Sequence, residues 1–195
     1  MRGLYEVTKR YGDRTVLDRF TLALPQAGGV CLFGPSGCGK TTALRLLCGL
    51  EAPDAGEVRG MSGLRIACQF QEDRLLPWYS VEKNLALAAR TGLEEARAWL
   101  ARVGLADAGG KLPAELSGGM RRRAALARAL MFGGDLLVLD EPLKELDEGT
   151  RLRMLELIAS RMPGRTTVLV THNRDEARRL GLPVVEMPTG TEAAP

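Results

Sequence analysis

The sequence predicts an α/β fold built on a mainly parallel sheet, and three observations predict it. Short apolar runs, Val30–Phe33, Leu136–Leu139 and Thr166–Val170, have no polar alternation. Strands of that kind are buried on both faces, as in the middle of a parallel sheet. Each run is followed by a stretch of helical spacing, which supplies the layers that cover such a sheet. A glycine-rich loop separates the first run from its helix. With 195 residues, 21.1 kDa, 45% hydrophobic and 26% charged residues, the chain reads as one domain, 1–195, with a full core.

The elements follow in order. β-type alternation over Leu4–Thr8 and Thr15–Leu24 flanks a turn at Tyr11-Gly12-Asp13. After the Val30–Phe33 strand and its loop, Thr41–Cys48 is helical, with Gly49 as the stop. Residues 52–63, rich in Pro, Gly and Asp, read as turns, and Leu64–Phe70 returns to strand character. Val81–Val103 has helical spacing through Leu85, Ala88, Ala89, Ala96, Trp99, Leu100 and Val103. Gly109-Gly110 and Pro113 interrupt it, and Ser117-Gly118-Gly119 leads into a helix over Arg121–Met131. The last third alternates: strand Leu136–Leu139, helix Thr150–Arg161, strand Thr166–Val170, helix Asp175–Leu180, short strand Pro183–Glu186. The tail, 187–195, is expected to fray.

Several functions are excluded at this level. Basic and acidic residues number 27 and 24, too even a balance for a nucleic-acid face, so no nucleic-acid partner is expected. Mean hydropathy is −0.07, and no apolar run approaches the roughly 18 residues of a membrane span. The opening residues, MRGLYEVTKRYGDR, put charges where a signal peptide is apolar, which points to a cytoplasmic protein. Cys31, Cys38, Cys48 and Cys68 form no CxxC pair, and one histidine does not complete a zinc site.

The strongest motif is Gly34-Pro35-Ser36-Gly37-Cys38-Gly39-Lys40-Thr41, which fits GxxxxGK[ST] between an apolar strand and a helix. Glycines let such a loop wrap closely, so that backbone N–H groups and the helix N-terminus face phosphate oxygens. Lys40 then reaches the β- and γ-phosphates, and the Thr41 hydroxyl reaches Mg²⁺. The strand Leu136–Leu139 runs into Asp140-Glu141-Pro142. Buried carboxylates need a cation or a partner. Asp140 suits Mg²⁺, and Glu141 suits polarising an attacking water. His172, the only histidine, follows the strand Thr166–Val170. All three features share the C-terminal edge of the predicted sheet, where ligands bind open α/β folds. Cys38, inside the loop at a helix N-terminus, reads either as a small residue at a permissive position or as a thiol open to reagents and protected by bound ATP.

Leu116-Ser117-Gly118-Gly119-Met120, followed by Arg121-Arg122-Arg123 and Ala127-Arg128-Ala129-Leu130, resembles the LSGGQ signature helix of ABC-type ATPases. The resemblance implies a P-loop NTPase core with an N-terminal antiparallel β subdomain and an inserted α-helical subdomain over roughly residues 72–133. It further implies a nucleotide site including Tyr11 against adenine, Val16 beside it, and Gly34 to Thr42. Gln71 then resembles the glutamine that touches Mg²⁺, Asp147 the D-loop aspartate, and His172 the switch histidine at the γ-phosphate. Ser117, Gly118, Gly119 and Met120 would face ATP held by a partner, in a homodimer or with a paired ATPase subunit.

Phe70 to Trp78 resembles the matching segment in ATPase subunits of nitrate, sulfonate and taurine importers. Leu75, Leu76 and Trp78 suit docking on transmembrane permease subunits or filling the helical subdomain's own core. The implied function is ATP hydrolysis powering transport, as a peripheral subunit on the inner membrane face working with a substrate-binding protein. The alternatives are a non-transport ABC ATPase and a P-loop small-molecule kinase. The three arginines after Gly119 oppose the helix dipole and are expected either to meet an anion or to form a solvated face. Lys144 and Glu145 depart from the small or aromatic residues usual there, Asn173 from an acidic residue, and Arg122 from glutamine.

Overall fold

The computed structural model describes residues 2–187. In chain order the elements are β1 (Arg2–Tyr11), β2 (Arg14–Leu24), β3 (Gly28–Phe33), α1 (Lys40–Leu47), β4 (Ala55–Arg59), β5 (Ile66–Gln69), α2 (Val81–Ala89) and α3 (Leu93–Arg102). They continue as α4 (Gly118–Phe132), β6 (Leu136–Asp140), α5 (Glu148–Arg161), β7 (Thr166–Val170), α6 (Arg174–Arg179) and β8 (Val184–Glu186). Five strands form a parallel sheet in the order β5-β6-β7-β3-β8. A second sheet, β2-β1-β4, is antiparallel.

The apolar strands are buried on both faces, because successive side chains point to opposite sides of a strand. Leu136 and Val138 of β6, with Val168 and Val170 of β7, pack with α1 and the inward residues of the antiparallel sheet, among them Leu4, Val7 and Leu22. Leu137, Leu139 and Leu169 face the other way, onto a core shared with α2 to α6 that includes Leu85, Leu100, Leu126, Leu130 and Ile158. Helix α1 is therefore held between the two sheets. No helix among the described residues is long and apolar enough to cross a membrane.

The structure corrects the sequence reading in four places. Within 52–63, β4 is a strand, not only turns. Gly56, at φ +77°, lies so close to β1 that a Cβ would come 2.2 Å from the Glu6 carbonyl oxygen. The glycine that reads as a turn is what lets the strand pair. The helical stretch 81–103 is two helices, broken where Arg90 adopts φ 55°, so that Trp99 and Leu100 fold back onto the same core as Leu85. Helix α4 starts at Gly118, earlier than expected, because the Ser117 hydroxyl accepts the Met120 N–H at 3.3 Å. Met187, assigned to the fraying tail, is buried and donates its N–H to Phe33 at 2.7 Å. The remainder of that tail lies outside the described residues.

Gly29 lies where β3 runs beside β7, and a Cβ there would sit 2.1 Å from the Thr167 carbonyl oxygen. Gly29→Ala is expected to lower unfolding free energy by about 1–3 kcal/mol through overpacking. A reduced urea midpoint with an unchanged m-value would show it.

Candidate functional site

Strands β6, β7 and β3 are neighbours and parallel, so their C-terminal ends open on one edge. A cleft of about 360 Å³ there is lined by Ser36, Gly37, Gly39, Lys40, Thr41, Thr42, Val16, Gln71, Asp140, Glu141 and His172. Arg14 and Lys144, which the sequence reading did not place in a site, line it too.

The loop is shaped by its glycines and closed by its lysine. Gly37 and Gly39 have φ +80° and +99°. A Cβ on Gly39 would meet Leu17 at 2.7 Å, so β2 can pass beneath the loop only because that residue is glycine. Lys40 opens α1 and is 7% exposed, and its Nζ donates to the Gly34 and Pro35 carbonyls at 2.8 and 2.7 Å. Gly34 and Pro35 thus face the lysine and are not among the residues lining the cleft. Arg14 Nη2 donates to the Gly37 carbonyl at 3.4 Å from the other side. Cys38 matches the reading of a small residue at a permissive position and not that of a reactive thiol: it is 3% exposed and packed into the core with α1. Its N–H turns onto the Pro35 carbonyl at 3.4 Å instead of facing the cleft.

Asp140 is 2% exposed and accepts the Thr41 hydroxyl at 2.8 Å. Burial pushes its carboxyl above the ordinary value, against the Thr41 hydrogen bond. Desolvating a carboxylate costs several kcal/mol, and one such bond returns about 1.5–3. A hydroxyl and a carboxylate converging on one cleft, with the Gln71 amide on its wall, are hard oxygen donors that fit a magnesium ion. Among the described residues no cluster of three or more His, Cys, Asp or Glu forms a cage of its own.

Glu141 has φ 48°, uncommon for a residue with a side chain. Its N–H donates to the Val170 carbonyl at 2.9 Å, tying it to the end of β7. Its Oε1 lies 2.6 Å from His172 Nε2. Its Oε2 is buried without a hydrogen bond, with the Lys144 ammonium 3.2 Å away as an ion-pair partner. One carboxylate oxygen is therefore held by histidine and the other by the lysine ammonium. The turn carrying His172 is set by Thr171, whose hydroxyl accepts the Asn173 N–H at 3.0 Å and donates to Glu176 at 2.5 Å. Asn173 in turn caps α6.

The three arginines meet backbone carbonyls, and two of them also meet an anion of the chain itself, the Asp73 carboxylate. Arg121 donates to the Leu116 carbonyl at 2.7 Å, and Arg123 to the Val103 carbonyl at 2.8 Å. Arg122 reaches the carbonyls of Gln71 at 3.2 Å and Glu141 at 3.5 Å. Arg121 and Arg122 both flank Asp73, at 3.8 and 3.6 Å. Arg128 adds bonds to the carbonyls of Asp73 and Arg74. The Gln71–Arg74 segment is thereby strapped to α4.

Tyr11, Ser117, Gly118, Gly119, Met120 and Asp147 are not among the residues lining the cleft. Tyr11 is exposed at the hairpin end, paired across the strands with Arg14, with its hydroxyl on Glu51. Ser117 and Gly118 are exposed at the start of α4. Asp147 caps α5 by accepting the Thr150 N–H at 2.9 Å, which holds its carboxyl below the usual range. Leu75 packs against the helical core, whereas Leu76 and Trp78 are exposed, Trp78 at 69%. Asn84, which the sequence reading passed over, fixes that turn through Leu76, Tyr79 and Ser80 backbone groups.

A sequence profile described as ABC transporter matches residues 17–144. The chain belongs to the ABC transporter family. It is 47% identical over 182 residues to the aliphatic sulfonates import ATP-binding protein SsuB 1 of Burkholderia lata, covering 90% of this chain and 57% of that one. With SsuB 3 of Paraburkholderia xenovorans it is 44% identical over 200 residues, covering 100% of this chain and 78% of that one. The chain spans little more than half the length of the Burkholderia relative. Among solved ABC cassettes, the dimeric post-hydrolysis state of MJ0796 bound to ADP and Pi superposes with TM-score 0.86 at 26% identity. That match covers 97% of this chain and 95% of the other.

The buried Glu176 carboxyl behind His172 sits above its ordinary value because of burial. A raised folded-state value favours the folded state at low pH, and that contribution is lost as pH rises through it. Relative to the native chain, Glu176→Gln should therefore gain stability between pH 4.5 and about 8. Paired urea midpoints at the two pH values would check the sign.

Proposed function

We propose that this chain is the ATP-hydrolysing subunit of an ABC importer and that it works as a nucleotide-driven dimer. One observation carries the reading. The phosphate-type loop with Lys40, the Thr41–Asp140 pair at 2.8 Å and the Glu141–His172 pair at 2.6 Å line a single cleft.

ATP lies with its phosphates in the loop, where Gly37, Gly39 and the first turn of α1 present N–H groups and Lys40 exchanges its two carbonyls for phosphate oxygens. Thr41, Asp140 and Gln71 would hold Mg²⁺, which when bound would neutralise charge on the phosphates. Glu141 accepts the proton of the attacking water once Lys144 withdraws from its Oε2, and His172 keeps the carboxylate in place. Arg14 adds positive charge at the outer rim, Val16 flanks the base and Tyr11 offers a face for adenine to stack on. Ser117 to Met120 and Asp147, which stand away from this cleft, complete the partner's site. Similarity to a dimeric cassette supports that arrangement.

Permease subunits dock on the face around Leu76, Trp78 and Tyr79, which borders a groove of about 470 Å³ between β5, α2 and α4. This places the subunit on the inner face of the membrane. The names of the relatives favour a sulfonate as cargo. A substrate-binding protein delivers it in this reading.

Glu141→Gln should lower ATP hydrolysis about 100-fold or more while nucleotide binding persists. The solution mass of this variant is then expected to double with ATP and Mg²⁺, and Ser117→Arg should abolish the doubling. A persistent monomer that still binds ATP in the full transporter as well would count against the composite site. Trp78→Ala should leave ATPase activity of the isolated subunit unchanged and weaken its retention by permease-containing membranes, as co-sedimentation would show.

A further inference from the structure

Two cysteines have no part in the cleft. Cys48 closes α1, its N–H donating to the Leu44 carbonyl at 2.9 Å. Cys68 lies in β5. They are 20 residues apart in sequence, yet their Sγ atoms are 3.1 Å apart. That is about 1 Å longer than a disulfide bond of about 2.05 Å. Cys31 and Cys38 are buried, but Cys48 and Cys68 are both partly exposed. The Cys68 side chain lies on the α1 side of β5, against the core that also holds Cys48, and β5 is the edge strand of its sheet.

The two thiols are not equivalent. The hydrogen bond from Cys48 draws the Cys68 thiol below its ordinary value, with the Arg128 guanidinium assisting, and the same bond raises Cys48. A thiolate is the attacking form, and a neighbouring thiol is the usual resolving group.

We propose that Cys68 is a modification site for small peroxides, with Cys48 as its resolving thiol, and that the product is an intrachain disulfide joining α1 to β5. The Cys68 thiolate attacks one peroxide oxygen, the O–O bond breaks, and the departing hydroxide takes a proton to become water. This leaves a sulfenic acid on Cys68. The Cys48 sulfur then attacks the Cys68 sulfur, the S–O bond breaks, and the hydroxyl leaves as water with the Cys48 proton. Two thiols are oxidised to one disulfide, and one hydrogen peroxide is reduced to two waters. A thiol reductant reverses the bond by exchange.

The bond would join two supports of the cleft, because α1 begins at Lys40 and β5 leads to Gln71. It does not depend on the catalytic assignment.

The test uses the reduced full chain with equimolar hydrogen peroxide, followed by alkylation under denaturing conditions and trypsin digestion without reductant. The peptides 46–59 and 66–74 each carry one of the two cysteines. They are expected joined, two hydrogens lighter than their sum, and separated again by dithiothreitol, with Cys31 and Cys38 alkylated. The oxidised chain should melt about 5–10 °C higher, as expected for a cross-link closing a short loop. In Cys48→Ser, and equally in Cys48→Ala, the cross-link should vanish and Cys68 should form a stable mixed disulfide with oxidised glutathione. Recovery of both peptides as separate alkylated species, a sulfinic acid on Cys68 without cross-link, or pairing with Cys31 or Cys38 would each overturn the proposal.

Discussion

Asp140 ends a strand whose other four residues are leucine and valine, all buried, and its own carboxylate is 2% exposed. A charge in that position draws the surrounding architecture to it. The hydroxyl of Thr41 must stand opposite, which fixes where α1 begins, and α1 can begin there only after a loop tight enough to require glycine. The antiparallel sheet packs on the far side of α1 and supplies Val16 and Arg14 to the rim. One desolvated carboxylate thus sets the spacing among two sheets and the helix between them.

The parts of the fold that were legible in the sequence are those where local pattern and burial agree. Strands β3, β6 and β7 are apolar on both faces because they lie in the interior of the sheet, so their composition announces them. The motif residues Lys40, Thr41, Asp140, Glu141 and His172 were legible for a related reason: each stands beside such a strand or its loop, and topology brings those ends together. Strand β4 was not legible, since it exists only through pairing with β1 and its glycine carries the opposite local signal.

Long-range partnership also explains the misread side chains. Arg121 to Arg123 read either as charges meeting an anion or as a solvated face; the anion is Asp73, and nothing local shows that Leu116, Val103, Gln71 and Glu141 also turn carbonyls toward them. Arg14 and Lys144 sit in the cleft through the path of the hairpin and of the segment after β6. Spacing from Tyr11 and Val16 places Arg14 near the rim, and this was the one signal that could have found it. Lys144 was visible only as a departure.

The ammonium of Lys40, resting on the carbonyls of Gly34 and Pro35, has a consequence for which solutes the loop admits. A bare lysine at a helix N-terminus would attract any small anion. This one is already solvated by the chain, and an incoming group must replace two good acceptors at once. A halide is a single atom and cannot stand in for both acceptors, whereas a polyanion presenting several oxygens can. The two resting contacts thus set a threshold that favours anions bringing several oxygens over single-atom ones.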